Sequence, residues 1–282
     1  MDRAPFMPHV DPHMSIEDYH SRTTEVSKSG LDLIAQSAAK FYAWTFDPAR
    51  PPRATKAGQL EGSLAHAAIL EPHEFDKRYV VGPKVTTRAT KEWKAFEETL
   101  SPGQIGIKPE QHATAMHQAE SVRRISDVRD VLDSGRPEVS AFWKDADTAA
   151  LCRCRPDWVH PYSESAVLLD VKTYSDASPA EFKRQIARKR YHVQAAFYSD
   201  GYEAAAQTEV RGFLFLAVET EWPYAASVVM LDEASIAAGR DLYKRDLSTY
   251  QRCIETGVWP GYGDGISIET LPAWAFKQID EE

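Results

Sequence analysis

Only three cysteines, Cys152, Cys154 and Cys253, occur in the 282 residues. Three thiols cannot build a disulfide framework or a four-cysteine zinc or iron–sulfur site. They read as reduced cysteines in a cytoplasmic protein. No run of about 18 apolar residues occurs, so a membrane-spanning helix is not expected. Met1 to His20 mixes Pro, His, Asp and Met and has no apolar core of a secretory signal. Positive charge is scarce too: 33 Lys and Arg against 42 Asp and Glu give a formal net charge of −9. That sign excludes coating of nucleic acid by bulk attraction, and leaves room for a local basic stripe. Internal repeats and low-complexity tracts are absent.

Hydrophobic periodicity supplies the organisation. Ser29 is placed to cap a helix through Leu31, Leu33, Ile34, Ala38 and Phe41, and Pro48, Pro51 and Pro52 enforce a loop after it. Lys56 to Leu70 reads as a helix with one small-residue face, ended by Pro72. Phe75 to Val81 reads as a short strand, and Thr90 to Leu100 and Pro109 to Leu132 as helices. The period then shortens. Val139, Ala141 and Trp143 alternate with polar residues, as do residues 151–155, and Ala166 to Val171 is nearly all apolar, as in a strand buried on both faces. Ser178 to Gln207 returns to helix behind a Ser178-x-x-Glu181 capping box. Gly212 to Thr220 and Ala225 to Leu231 read as strands, and Asp232 to Thr256 as an amphipathic helix. Helices first, then a strand-rich core flanked by helices, predict an α/β or mixed α+β domain with a mixed central sheet. Residues 1–26 are expected to be an irregular, flexible segment, 27–258 the domain and 259–282 a C-terminal tail.

The chemistry is concentrated in Arg155-Pro156-Asp157 and Leu169-Asp170-Val171-Lys172-Thr173. Asp170 and Lys172 stand two apart on a strand and share a face. A hairpin would bring Asp157, at the end of the preceding strand, beside Asp170. Two carboxylates and a lysine at one end of an apolar sheet are costly unless something compensates. A hard divalent cation with oxygen ligands does so. Such a cation polarises a phosphate and lowers the pKa of water. Lys172 would orient or deprotonate that water, or stabilise charge developing at phosphorus. The chemistry expected is phosphodiester hydrolysis.

Asp157…Asp170-Val171-Lys172 resembles the PD-(D/E)xK nuclease signature, with Pro156-Asp157 as its opening dipeptide. Gln194-x-x-x-Tyr198 is similar to the QxxxY motif of the lambda-exonuclease and RecB-like branch. Gly62-Ser63-x-x-His66-x-x-x-Leu70-Glu71-Pro72 and Tyr191-His192-x-Gln194 extend the likeness to the RecE (exonuclease VIII) type over roughly residues 27 to 255. The resemblance implies Asp157, Asp170, Lys172, Gln194 and Tyr198 as catalytic residues. It also implies His66, Glu138, Asp157, Asp170 and Val171 as the metal-binding set for one or two Mg2+ ions, with Mn2+ able to substitute. Asp145 and Asp147 compete with Glu138 for the additional acidic role. The activity implied is 5′→3′ digestion of double-stranded DNA from its ends, by a homo-oligomeric ring, in homologous recombination with a RecT-like single-strand annealing protein. The long N-terminal extension of the bacterial prototype is missing, which suggests a stand-alone nuclease, phage- or prophage-borne.

The densest basic run, Lys183, Arg184, Arg188, Lys189 and Arg190, is the expected DNA-binding surface. Lys84, Arg88, Lys91 and Lys94 form a weaker one, with Trp93 or Phe96 as candidates to stack on a base. An endonuclease or single-strand-specific nuclease on the same fold, or a decayed DNA-binding accessory, stand as alternatives.

Overall fold

The computed structural model describes residues 6–271, apart from 53, 55, 56 and 264, together with residue 276. The chain opens with strand β1 (His9–Asp11) and helix α1 (Ile16–Ser21), followed by α2 (Lys28–Gln36), α3 (Ala38–Thr45), α4 (Gln59–Leu70) and α5 (Pro72–Arg78). A short strand β2 (Tyr79–Val81), helix α6 (Lys91–Glu97) and β3 (Ile105–Ile107) lead to α7 (Pro109–Arg123) and α8 (Ser126–Asp133). Strands β4 (Arg136–Pro137), β5 (Ser140–Lys144), β6 (Leu151–Cys154), β7 (Trp158–Tyr162) and β8 (Ser165–Tyr174) come next. Helices α9 (Pro179–Arg188) and α10 (Tyr191–Ala206), strands β9 (Glu209–Glu219) and β10 (Ala226–Met230), and helix α11 (Glu233–Thr256) complete the order.

The main sheet runs β10-β9-β8-β7-β4, with β8 parallel to β9 and every other pairing antiparallel. This is the mixed sheet that the sequence pattern predicts. Strand β8 lies at its centre and separates two apolar clusters. Ala166 and Leu168 pack with residues of α2, α3, α10 and α11. Leu169 and Val171 pack on the other side with residues of α4, α7 and α8. A polar group on β8 is therefore tolerated only where partners come from the flanking helices. Among the described residues, no helix is long and apolar enough to cross a membrane.

Several expected elements are divided or displaced. The helix expected from Ser29 is two helices, because Ser27 accepts from the Gly30 N–H to cap α2 and Ser37 accepts from the Lys40 N–H to cap α3. Phe75 lies in α5, leaving only Tyr79–Val81 as strand. Lys56, the expected start of the next helix, lies outside the described residues, and α4 begins at Gln59 behind Gly58. The long helices expected over 109–132 and 178–207 each divide. The second does so at Arg190, whose φ of 56° is left-handed. Residues 1–26, expected to be irregular, contain β1 and α1. Strand β1 pairs antiparallel with β5, and Tyr19 is buried.

Candidate active site

Four elements converge on one point. Helix α4 carries His66, the turn between β4 and β5 carries Glu138, the end of the β6–β7 connection carries Asp157, and β8 carries Asp170 and Lys172. One ligand atom from each of His66, Glu138 and Asp157 lies within 4.8 Å of the others. The hairpin between β7 and β8, in register at Trp158 and Leu169, sets Asp157 beside β8. Its Oδ2 accepts a 2.7 Å hydrogen bond from the Val171 N–H and lies 3.4 Å from His66 Nδ1. Glu138 has a left-handed backbone, φ 54°, and donates its N–H to the Asp157 carbonyl at 3.0 Å. A non-glycine residue held in that region costs free energy, and such strain is concentrated at functional sites. Here it aims one carboxylate at another.

Asp170 is buried, and its Oδ2 has no hydrogen-bond partner among the described residues. Lys172 Nζ forms an ion pair with its Oδ2, and Gln194 Nε2, from α10, donates to its Oδ1. The Lys172 ammonium also stands 4.8 Å from the centroid of the Tyr191 ring, whose hydroxyl meets that of Tyr174 at 2.5 Å. Tyr198 is close enough for its ionisation to be opposed by Asp170 and Asp157, although burial is the larger cause of its raised pKa. Its ring packs edge-on to Phe213, with centroids 6.0 Å apart. Val171, implied as a metal ligand, has a buried apolar side chain, so its backbone alone can take part. That backbone donates its N–H to Asp157.

The electrostatics follow from crowding. Burial first, then the charges of Asp170 and Glu138, push the Asp157 carboxyl well above the usual range. Burial also raises Glu138, against the opposing pull of Arg155. Burial lowers His66 to about 4, so its imidazole is neutral near pH 7 and can act as a ligand. Burial alone would lower Lys172, but Asp170 and Asp157 outweigh it and raise its pKa. Carboxylate oxygens with one neutral imidazole, short of countercharge, suit a hard divalent cation such as Mg2+ or Mn2+.

Not every candidate reaches this point. Asp145 is occupied by the Thr148 N–H and hydroxyl at 2.8 and 2.7 Å, and Asp147 pairs with Lys244 at 2.8 Å. Lys183, Arg184, Arg188 and Lys189 are exposed around α9. Arg190 instead turns inward to ion pairs with Asp32 and the buried Asp246. Trp93 is fully buried and its indole N–H donates to Glu97 at 2.7 Å, so it is not available for stacking; Phe96 packs against it, with ring centroids 5.3 Å apart. Arg155 is the neighbour given no role at the sequence level. Its Nε donates to Glu138 Oε2 at 2.7 Å. Its position directly before Pro156-Asp157 was the available signal.

A buried Asp-x-Lys on a central strand, a second carboxylate delivered by the preceding hairpin and flanking helices on both faces define a PD-(D/E)xK nuclease fold. The chain belongs to the family described as "PDDEXK-like domain of unknown function (DUF3799)", which matches residues 27–271. Among solved structures, it is similar to a protein from Eubacterium rectale named "Putative exonuclease", at 12% identity and a TM-score of 0.61. The similarity covers 94% of this chain and 98% of that one. Fainter likenesses are to SSO0001 (TM-score 0.27, 12% identity, 66% of this chain and 85% of that one) and to VC1899 from Vibrio cholerae (0.21, 11%, 86% and 62%). No curated protein matches the sequence.

Proposed function

We propose that this protein is a Mg2+-dependent deoxyribonuclease, and within that class a 5′→3′ exonuclease on double-stranded DNA. The observation that carries the reading is the meeting of His66, Glu138 and Asp157 within 4.8 Å beside the Asp170–Lys172 pair. His66, Glu138 and Asp157 would hold the cation, with Asp170 adjacent. When bound, it would polarise the scissile phosphate and favour ionisation of an attacking water.

The chain's own groups do the rest. Lys172, kept protonated by Asp170 and Asp157, is suited to orienting water and stabilising negative charge growing on the phosphate. Gln194 fixes the Asp170 carboxylate, which in turn holds the Lys172 ammonium. Tyr198, four residues on along the same helix, packs its ring against Phe213 and Phe197. The exposed Lys183, Arg184, Arg188 and Lys189 offer phosphate contacts for the duplex. The E. rectale relative's name supports action at chain ends, and the resemblance of the motifs to the RecE type supports a homo-oligomeric ring and an annealing-protein partner in recombination.

The test is digestion of 5′-end-labelled linear duplex, with a closed circle in the same reaction and Mg2+ present or chelated. Loss of the linear duplex only with Mg2+, and an intact circle, is the expected result. Nicking of the circle would replace the exonuclease with an endonuclease. Binding of DNA without cleavage when Mg2+ is present would overturn the enzymatic reading.

A further inference from the structure

The Arg155 side chain is almost fully buried, and it makes four contacts that converge from distant parts of the chain. Its Nε donates to Glu138 Oε2 at 2.7 Å. Its Nη1 donates to Ser140 Oγ at 2.6 Å and to the Met14 carbonyl at 3.0 Å. Its guanidinium lies 5.6 Å from the centre of the Tyr19 ring. Met14 and Tyr19 belong to the N-terminal arm, which precedes the family match at residue 27. The arm is in turn registered on a separate three-stranded sheet, β1-β5-β6, where Asp11 of β1 pairs with Ser140 of β5. Arg153 strengthens the junction, donating to the Arg22 carbonyl at 2.5 Å and lying 4.8 Å from the Tyr19 ring centre.

We infer that Arg155 is a positioning residue for the metal centre: it fixes the Glu138 carboxylate by one oxygen, and the N-terminal arm fixes Arg155. The inference rests on the metal-site reading above. A planar guanidinium holds a carboxylate, a hydroxyl and a carbonyl in one preorganised geometry, which a lysine ammonium on a flexible stem does not fix. Glu138 is left with its other oxygen to offer. Without Arg155 the carboxylate has only its strained backbone to aim it, and a ligand that must be ordered on binding holds a cation less tightly.

Titration calorimetry with Mn2+ on the whole chain, without DNA, tests this separately from turnover. The Arg155→Gln variant is expected to bind Mn2+ about 10- to 100-fold more weakly than the wild type. Arg155→Lys should recover part of that loss. Tyr19→Leu, which leaves Arg155 in place but removes the ring beneath it, should weaken binding about two- to fivefold. The Mn2+ concentration that half-saturates DNA cleavage should rise by the same factors, with kcat at saturating Mn2+ changed much less. If the wild type binds Mn2+ and the folded Arg155→Gln and Tyr19→Leu variants bind it equally well, Arg155 is only a packing residue and the inference falls alone. If Arg155→Gln does not fold, Tyr19→Leu decides the matter. A wild type that binds no Mn2+ removes the metal-site reading and this inference together.

Discussion

Asp157 and Glu138 hold their protons more tightly than carboxylates in water, because burial opposes their ionisation and neighbouring negative charge adds to it. The native state without metal therefore binds more protons than the unfolded chain once pH exceeds the ordinary carboxylate range, about 4. Stability from these two groups is present below that range and declines as pH rises toward their raised folded values. A divalent cation reverses the decline, because it requires the ionised forms. The rise in Tm on adding Mn2+ should accordingly grow as pH rises above the ordinary carboxylate range, about 4, as measured by thermal melts with Mn2+ or chelator. A flat difference would count against these carboxylates as ligands. Asp170→Asn keeps the shape but removes the charge that holds Lys172. It should lower the cleavage rate at least about 100-fold while the circular dichroism spectrum stays native.

Helix α10 delivers Gln194 to Asp170, and its placement depends on a glycine one helix away. A Cβ at Gly239 of α11 would stand 2.1 Å from the carbonyl oxygen of His192, in the first turn of α10. Gly239→Ala must push the two helices apart. The expected cost is about 1–3 kcal/mol in urea unfolding, with a fall in kcat because Gln194 moves with the helix. Wild-type stability in that variant would show that the contact relaxes freely. Contacts of this kind are not legible in a sequence, where Gly239 reads only as a small residue in an amphipathic helix. Asp170 and Lys172 were legible because a period of two puts them on one face and an apolar strand makes their charge conspicuous. The division at Arg190 was hidden for another reason: a left-handed arginine, pinned by a distant Asp246, carries no glycine or proline signal. Strand β1 was hidden because its partner β5 lies some 130 residues further along the chain.

The whole molecule carries a net charge of −9, so any duplex binding must come from local basic surface. Lys183 and Arg188 are exposed on α9. Replacing both by Ala should weaken binding to linear duplex in chelator and make the affinity less salt-dependent. The slope of log affinity against log salt should fall by about 1 for each phosphate contact removed. Fluorescence anisotropy between low and physiological salt reads this directly. An unchanged slope would place the duplex on another face. Self-association into a ring is a separate property, and light scattering coupled to size exclusion measures it without DNA.

The Val171 N–H is bound to the Asp157 carboxylate, and so the backbone itself touches the proposed metal ligand. In a nitrogen–proton NMR spectrum that amide becomes a resident indicator: it should shift when Mg2+ draws on Asp157, with no label, dye or substrate required. The same signal followed in the Arg155→Lys protein would separate a ligand that is present but poorly aimed from one that is lost.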